Sequence, residues 1–460
     1  MLNFKPININ DKYIIDPYLK KNSQTCDRNF TNLFCWQHFY NTQWTIADNW
    51  LVLRACINGE RRMAYITVSD KDNPDYCTII PTLLEDAKKN NQPLTLMGLT
   101  DEECRLLENC CKHEFIFDKN RDFADYIYKS ENLNTLKGRK YAQKRNHVNK
   151  FKSLYNYHYE PISKANIADC LQLEESWIQQ HPDDESAKEE NFVIKNALGH
   201  FEELNLIGGA LYVENQIVAF TYGSEINETM FCTHVEKGDI NYEGVYQMIN
   251  YLFAQHLPEK YQLINREEDM GLPGLRKSKM SYEPEKLGYK TTALLMNDDM
   301  HDIINIWHKC FGNEDDSVYQ FLSRYYFEHC SFVENVNNHI VSMLFMIPCN
   351  TKSGSAAYLY GVATDPEFQH RGYSSKLMSK FIEKCKNDGF DFTFLIPEEE
   401  SLADFYAKFG YIKTSKLVEF NSDLNLGTGI PEKDIALVLP LKESFTIDDL
   451  DDTISCTPML

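Results

Sequence analysis

The chain has 460 residues, of which 43% are apolar and 13% aromatic, and this is enough for two or three packed domains. Its formal net charge of -21 at pH 7 argues against a protein that coats nucleic acid or an anionic membrane, because both attractions need many Lys and Arg contacts. A local basic patch remains compatible with either partner.

No targeting or membrane segment is recognisable in the sequence. The longest apolar runs, such as VSMLFMIP at residues 341–348, fall short of the roughly 18 residues typical of a membrane span. The start, MLNFKPININDKY, lacks the apolar core of a signal peptide. We therefore expect a cytoplasmic protein without stable membrane insertion.

The 14 cysteines are scattered, without a Cys-x-x-Cys motif or a Cys/His cluster at metal-ligand spacing. In a long chain without a secretion signal, this pattern predicts reduced core thiols rather than a disulfide framework. It also predicts that no metal is bound.

The first 130 residues carry the weakest pattern. Apolar runs at 50–57, 61–68 and 124–130 predict strands, and residues 79–89 predict a helix. These elements are compatible with a degenerate copy of the unit that follows them.

A basic segment follows at residues 137–152, KGRKYAQKRNHVNKFK, with seven Lys or Arg and no acidic residue. Two interpretations are open. The segment is a solvated basic helix, or it is a patch for the phosphates of a lipid headgroup, a nucleotide or a tRNA end. Lys144 and Arg145 are its candidate binding residues.

From Ser163 the pattern predicts two helices, three strands, a helix, a strand and a helix, and the same order returns from Met300. The strand ending near residue 267 leads into the charged stretch NREEDMGLPGLRKSKMSYEP. Charged side chains at the exit of a strand often form a site, although paired surface ions explain them equally well. The candidate substrate residues here are Arg266, Arg276 and Lys279.

These N-terminal stretches resemble a known family. DYIY, KGRKYAQKRNHVNKF, GGALYVENQIVAF, THVEKGD and NREEDMGLPGLRKSKMSYEP are similar to the C-terminal catalytic domain of phosphatidylglycerol lysyltransferases, over roughly residues 20–290. The resemblance implies two GNAT-like halves and a transferase ancestry. The membrane part of the full-length members is absent, and the acidic balance makes tRNA a possible but not a favoured partner. No coenzyme A motif follows THVEKGD, so cofactor binding is not implied in this module.

The stretch from Gly361 to Cys385 predicts a strand, a polar loop and a helix that begins at Gly372. Such a junction presents unpaired backbone N–H groups at the positive end of a helix dipole, which suits a phosphate or pyrophosphate. Arg371 adds a positive charge beside it. Because many helices begin with Gly after a polar loop, this pattern alone is weak evidence.

A second motif strengthens the prediction. Together with the Gln369–Ser374 segment, the FYAKFGY segment at residues 405–411 resembles the coenzyme A and tyrosine motifs of the GNAT superfamily of N-acetyltransferases, most closely the branch typified by the mycobacterial enhanced-intracellular-survival acetyltransferase. Ser374 replaces the family's final Gly or Ala, and Glu399 replaces a frequent Asn. The resemblance implies acetyl-CoA as co-substrate and Tyr406 as the general acid. The cofactor-binding residues that it implies are Val362, Ala363, Thr364, Gln369, Arg371, Gly372, Tyr373, Ser374 and Ser375.

The predicted fold is α/β (α+β), with repeated GNAT-type domains that each have a central mixed, mostly antiparallel sheet flanked by helices. We expect a lysyltransferase-like module at 1–290 with halves dividing near 130–160, a GNAT domain at 291–442, and a solvated acidic tail at 443–460. The predicted function is acetyl transfer from acetyl-CoA to a primary amine of a small molecule or peptide. The alternatives are an aminoacyl-tRNA-dependent transferase and a non-enzymatic CoA-binding sensor or scaffold. The general base and the oligomeric state do not follow from the sequence.

Overall fold

The computed structural model describes residues 2–57, 62–111, 115–180, 185–312, 315–327, 329–422 and 424–459. Three seven-stranded mixed sheets, each flanked by helices, organise this part of the chain. The predicted fold class is confirmed.

The N-terminal region contributes six strands and four helices before the second sheet begins. The predicted strands at 50–57 and 61–68 and the predicted helix at 79–89 are confirmed, whereas two earlier helices had no legible pattern. The elements are β1 (Lys5–Pro6), α1 (Lys12–Asn22), α2 (Phe30–Tyr40), β2 (Gln43–Ala47), β3 (Trp50–Ile57), β4 (Arg62–Ser69), α3 (Tyr76–Lys89), β5 (Thr95–Leu99), α4 (Asp101–Cys111) and β6 (Phe115–Asp118).

The second region follows the predicted order of two helices, three strands, a helix, a strand and a helix. Before the first helix of that order, the region already contains a strand and the basic helix. The elements are β7 (Asp125–Lys129), α5 (Ser130–Thr135), α6 (Ala142–Leu154), β8 (Tyr157–Pro161), α7 (Ile167–Gln179), α8 (Glu185–Gly199), β9 (Ile207–Val213), β10 (Gln216–Asn227), β11 (Met230–Gly238), α9 (Val245–His256), β12 (Leu263–Asn265), α10 (Pro273–Met280) and β13 (Lys286–Gly288).

The third region repeats that order. Its elements, after one strand that returns to the first sheet, are β14 (Thr291–Leu295), α11 (Asp298–Phe311), α12 (Asp315–Tyr325), β15 (Ser331–Val336), β16 (His339–Thr351), β17 (Gly354–Thr364), α13 (Tyr373–Asn387), β18 (Phe392–Leu395), α14 (Ala403–Ala407), β19 (Ile412–Phe420), β20 (Ile435–Pro440) and β21 (Thr453–Pro458).

The three sheets share one plan. Their strand orders are β1-β2-β3-β4-β5-β14-β6, β8-β9-β10-β11-β12-β7-β13 and β15-β16-β17-β18-β20-β19-β21. In each, an antiparallel run ends in a parallel pair, β4 with β5, β11 with β12 and β17 with β18, and the next strand is antiparallel. The first 118 residues are therefore a third copy of the unit.

The first two sheets are interleaved along the chain. β14 lies between β5 and β6, so residues 291–295 complete the first sheet after the chain has built the second one. The predicted boundary at residue 290 thus cuts off a strand, and the second sheet already begins with β7, before the interval 130–160. We propose domains at 2–118 with 291–295, at 125–288 and at 298–458.

The predicted solvated tail at 443–460 is wrong for its last residues. β21 pairs in parallel with β19 and antiparallel with β16. Leu450, Ile454 and Cys456 are 4%, 1% and 0% exposed, whereas the neighbouring Asp451 and Asp452 are exposed. The charges that suggested a solvated segment therefore lie on the outer side of a segment whose apolar side chains are buried.

One disulfide also differs from the prediction. Cys77 in α3 and Cys110 in α4 are bonded, with a Cα–Cα distance of 5.5 Å. Their separation of 33 residues gives no spacing signal, so only the packing of the two helices brings them together. The other cysteines that the structure describes are free thiols, most of them buried.

A buried ion pair joins the third domain to the first. Arg324 of α12 donates to both carboxylate oxygens of Asp118 at 2.6 and 2.9 Å, and each side chain is 6% exposed. The buried Arg62 guanidinium donates to the carbonyl of Ser323. Within the described residues, none of the helices combines the length and the apolar character that a membrane crossing requires.

Candidate functional site

A gap opens in the third sheet where its parallel pair ends. β17 pairs with β18 only over Ala356–Tyr358, and β17 then continues alone on that side, within the described chain, to Thr364. Gly361 has a φ of 59°, and a Cβ there would lie 3.2 Å from the Trp307 and Phe345 rings. Only glycine suits this position, since both the left-handed backbone and the close aromatic contact disfavour a side chain.

The loop after β17 presents backbone N–H groups. His370 and Gly372 both have positive φ, 61° and 83°, which alternates the direction of successive peptide groups in the manner of an anion-binding nest. The amide of Lys376 makes the first helical bond of α13, to the carbonyl of Gly372 at 3.1 Å. The amides of residues 373–375 therefore precede the helical ladder and lie at the positive end of its dipole.

Side-chain hydrogen bonds tie this loop to the strand. The hydroxyl of Ser374 lies 2.7 Å from that of Thr364, which in turn lies 2.8 Å from that of Ser342. Gln369 donates to the carbonyl of Thr364 at 3.3 Å. Ser374, which departs from the family motif, thus links α13 to β17. The Thr364 carbonyl already accepts a hydrogen bond from Gln369.

The remaining predicted cofactor residues surround the same junction. Arg371 is exposed and donates to the Glu367 carbonyl at 3.0 Å. Val362 and Tyr373 are half-buried, and Ser375 is exposed. The side chain of Ala363 lies in the core, so only its backbone can face a ligand. The structure therefore brings these residues together at one strand–loop–helix junction.

Tyr406 lies on α14, the first helix after β18. It is 8% exposed and packs edge-on against Phe405 and Tyr411. Burial, with a smaller contribution from the Glu398 charge, raises the pKa of Tyr406 to about 12. No described residue hydrogen-bonds to its hydroxyl, which stays protonated at neutral pH and is available to a ligand.

A large cavity, the central cavity, lies elsewhere, between the first two sheets, and has a volume of about 1080 Å³. Helices α2, α8 and α10 and strands of both sheets line it, and Ser323 and Arg324 of the third domain close one side. Its charged lining includes Asp27, Asp118, Glu189, Glu190, His234, Glu236, Lys237, Arg266, Glu267, Glu268, Lys279, Lys290 and Arg324.

A buried lysine organises the acidic side of this cavity. The Lys290 ammonium lies 3.0 Å from Asp27, 3.0 Å from Asp125 and 3.1 Å from Glu268, and its side chain is 5% exposed. Burial opposes the charge, but the three carboxylates outweigh burial and raise the pKa of Lys290. Burial, opposed by Lys290, raises the pKa of Asp125 to about 6.

Two of the five predicted substrate residues line the cavity. Arg266 pairs with Glu236 at 3.1 Å, and Lys279 donates to the Arg266 carbonyl at 2.7 Å. The other three are engaged elsewhere. Lys144 is buried over the Tyr282 ring, Arg145 donates to the Gly138 carbonyl at 2.7 Å, and Arg276 pairs with Asp122 and Asp269. Lys144 and Arg145 thus have partners within the protein, whereas the other Lys and Arg residues of segment 137–152 are exposed.

The sequence did not identify Asp27, His234, Glu267 or Lys290 as site residues. Asp27 lies between α1 and α2, the two helices for which the sequence had no legible pattern. Lys290 belongs to no charged run or motif, so no sequence pattern identified it as a site residue. THVEKGD was noted only as part of a resemblance, although a His beside a strand was a usable signal. The NREEDMG segment was noted as a charged strand exit, but its basic residues rather than Glu267 were taken as candidates.

Two groups in the cavity wall have side chains that could hold a cation, with ligand atoms within 4.8 Å of one another. In the first, Cys26, Asp27 and Glu268, the Lys290 ammonium already lies among the ligands. In the second, Cys232, His234 and Glu267, the His234 and Glu267 atoms already share a hydrogen bond of 2.8 Å. In both groups, hydrogen-bonded protons already lie between the side chains that would bind a metal ion. Neither group is therefore evidence for a metal site.

The chain contains repeated GNAT-type sheets, and the parallel pair of the last sheet is split. The chain is therefore built of acyltransferase-type domains. The chain belongs to the family described as phosphatidylglycerol lysyltransferase, C-terminal, whose model matches residues 20–293. A model described as acetyltransferase (GNAT) domain matches residues 292–413.

The chain is also similar to individual proteins. A conserved protein of unknown function from Bacteroides thetaiotaomicron is 40% identical over 64% of this chain and all of its own, with a TM-score of 0.62. An uncharacterized protein of Mycoplasmoides gallisepticum is 26% identical over 253 residues, which are 50% of this chain and 79% of that protein. The solved structure of L-PGS from Bacillus licheniformis is 17% identical over 59% of this chain and 90% of its own, with a TM-score of 0.42.

Proposed function

We propose that the chain is an N-acetyltransferase that uses acetyl-CoA and a primary amine, with its active site in the third domain. The observation that carries this proposal is the gap beside β17 together with the alternating backbone of His370 and Gly372 at the start of α13. A strand edge suits the amide groups of a pantetheine arm, and the loop and helix amides suit its pyrophosphate.

The acceptor amine must lose a proton before it attacks the thioester, because a lysine-like amine has a pKa near ~10.4. The departing thiolate must gain one. Tyr406 suits the second task, since its raised pKa keeps the phenol protonated at neutral pH and no described residue occupies its hydroxyl. Acetyl-CoA supplies the acetyl group, and the chain supplies binding, orientation and this proton.

Gly372→Val tests the cofactor site. Valine strains the positive φ and fills space that a pyrophosphate needs, while no protein atom lies within 4 Å of its Cβ position. Gly389 is a matched control at the other end of α13, with a φ of 79° and the same open surroundings. We expect calorimetry with the full chain to show loss of acetyl-CoA binding in Gly372→Val but not in Gly389→Val. Equal affinities in the two variants would refute the site.

Tyr406→Phe tests the general acid. We expect turnover to fall by about 100-fold or more, with acetyl-CoA affinity nearly unchanged, because only the proton donor is removed. Tyr411→Phe is the matched control, since Tyr411 is equally buried and its hydroxyl already meets Thr393 at 3.2 Å. An amine library with acetyl-CoA provides the assay. Normal turnover of Tyr406→Phe at every pH removes this residue from the mechanism.

A second candidate function is transfer of an aminoacyl group from a charged tRNA within the N-terminal module. The cavity of about 1080 Å³ favours it, because this volume between the first two sheets exceeds what a small amine needs. The matched family points in the same direction. Incubation of the full chain with labelled lysyl-tRNA and phosphatidylglycerol vesicles tests it, and absence of label in the lipid at low salt argues against lysyl transfer.

The two assays also address the third possibility, a sensor or scaffold. A chain that binds acetyl-CoA but turns it over with no amine in the library, and that transfers no lysyl group, fits a non-enzymatic role. Turnover in either assay excludes that role.

A further inference from the structure

Glu267 differs from the other carboxylates of the central cavity. The other buried or half-buried carboxylates of the lining are each paired with a permanent cation: Glu236 with Arg266, Glu190 with Lys237, Asp118 with Arg324, and Asp27 and Glu268 with Lys290. Among the described residues, Glu267 has no Lys or Arg within ion-pair distance, and its side-chain partner is His234 at 2.8 Å. The Lys279 ammonium interacts with the Glu267 charge, but its hydrogen bonds go to the backbone carbonyls of Arg266 and Glu268.

One oxygen of Glu267 is fully engaged and the other is open. Oε1 accepts from His234 Nδ1 and from Asn32 Nδ2, each at 2.8 Å. Oε2 has no hydrogen-bond partner in the described part of the chain, and the side chain is 23% exposed along the cavity wall. The free oxygen is therefore directed to whatever occupies the cavity.

The backbone holds this carboxylate in an unusual position. Glu267 has a φ of 56°, a left-handed conformation that is rare for a residue with a side chain. Its amide donates to Asn265 Oδ1 at 2.7 Å, and its carbonyl accepts from the Tyr126 amide at 3.1 Å. Backbone strain of this kind persists where the surroundings fix it, and it concentrates at functional sites.

His234 reaches Glu267 from an irregularity in β11. The register between β10 and β11 shifts at Tyr222 and Gly223, so that Thr233 and Val235 have strand partners and His234 does not. A bulge of this kind redirects one side chain, here the imidazole that contacts Glu267. The ring is 5% exposed, so its hydrogen bonds are protected from water.

A chain of donors fixes the ring. Thr31 Oγ1 donates to Ser224 Oγ at 3.0 Å, and Ser224 Oγ lies 2.7 Å from His234 Nε2. Because an ionised carboxylate only accepts, the hydrogen between Glu267 and the ring is carried by His234 Nδ1. Ser224 Oγ also donates to Asn29 Oδ1 at 3.1 Å, and Asn29 Oδ1 accepts from the Thr31 amide at 2.9 Å.

We propose that Glu267 is the proton-accepting group of the central cavity and that His234 and Ser224 are its positioning residues. The order Ser, His, Glu resembles that of a serine nucleophile, but Ser224 is 4% exposed and does not line the cavity, so an acyl donor does not reach it. The chain of hydrogen bonds instead orients Glu267 and keeps Oε2 free.

This role rests on the second candidate function, aminoacyl transfer in the cavity. As the oxygen or nitrogen of an acceptor attacks the ester carbonyl carbon of an aminoacyl donor, Glu267 takes the acceptor's O–H or N–H proton. The bond between that carbon and the ribose oxygen breaks, and the ribose oxygen receives the proton. Glu267 returns to its carboxylate form, so atoms and charges balance.

Kinetics with lysyl-tRNA and phosphatidylglycerol vesicles test the role on the full chain. We expect Glu267→Gln to lower kcat by about 100-fold or more and Ser224→Ala by about 10-fold, each with an unchanged KM for lysyl-tRNA. Glu243→Gln is the control, because Glu243 is an exposed carboxylate that does not line the cavity. Equal kcat values in Glu267→Gln and wild type overturn the proposal.

A spectroscopic measurement decides the proposal even where lysyl transfer is not the reaction. Long-range ¹H–¹⁵N spectra of the histidine-labelled full chain report which ring nitrogen of His234 bears hydrogen, with His234→Gln identifying the signal. We expect hydrogen on Nδ1 in the wild type and a shift toward Nε2–H in Glu267→Met. An Nδ1 without hydrogen, or a spectrum unchanged in Glu267→Met, overturns the positioning role, whereas transfer failure with the expected spectrum counts against the lysyl substrate alone.

Discussion

Lys290→Met perturbs the buried charge cluster most directly. The wild-type ammonium lies 3.0 to 3.1 Å from three carboxylates, and each contact is worth about 5 kcal/mol at an effective dielectric constant of about 20. Met keeps the length and apolar volume of the side chain but leaves the carboxylates without their cation. The folded protein then relieves the repulsion by taking up a proton.

The cost of that proton sets the magnitude. Neutralising a carboxyl with an unfolded pKa near ~3.9 costs about 4 kcal/mol at pH 7 and about 1.5 kcal/mol at pH 5, at about 1.4 kcal/mol per pH unit. The variant's carboxyl has a raised folded pKa, so the folded state is favoured at low pH and loses stability as pH rises from the unfolded to the folded pKa. We expect a deficit of about 4 kcal/mol at pH 7 that shrinks toward pH 5.

Urea unfolding followed by circular dichroism at both pH values measures the deficit. Lys286→Met is the control, because Lys286 is exposed and its ammonium only meets Gln24 at 2.8 Å. That variant should change stability by less than about 0.5 kcal/mol. A Lys290→Met deficit that is the same at pH 5 and pH 7, or below about 1 kcal/mol at pH 7, refutes the reasoning.

Two further predictions concern stability. Arg324→Met should cost about 3 kcal/mol in urea unfolding, because it leaves the buried Asp118 carboxylate without its bidentate partner. Adding Asp118→Leu should restore part of the loss, and strictly additive losses would contradict a direct pair. Ile454→Ala should cost about 2 to 4 kcal/mol, since Ile454 is 1% exposed in β21, whereas the exposed Thr453→Ala should cost less than about 0.5 kcal/mol. Equal melting temperatures for the last two variants would contradict a folded C-terminal strand.

The repeated fold was predictable because its signal is periodic. The continuous apolar runs at 208–213 and 217–223 and the helical stripe of α13 extend over many residues, and the predicted strands and helix are confirmed. The loop and the start of α13 were also predictable, since Gly372 and its neighbours are contiguous in sequence. Local geometry of this kind depends on residues a few positions apart.

The central cavity was not predictable for the opposite reason. Glu267 and His234 are 33 residues apart, and Lys290 lies 263 residues from Asp27. Their meeting depends on the packing of two sheets, which no local pattern encodes. Within the basic segment, Lys144 stacks on an aromatic ring and Arg145 caps a turn, and composition does not distinguish these uses of positive charge from a binding patch.

The placement of β14 sets an order of events during synthesis. The first sheet lacks the strand between β5 and β6 until residue 295 has left the ribosome, by which time the whole second sheet has been made. Until then β5 and β6 present unpaired edges, and their closure spans a sequence separation that slows folding. In a newly made chain, the first domain therefore stays incomplete for the time needed to add about 170 residues. During that time its unpaired strand edges are exposed to association with other chains.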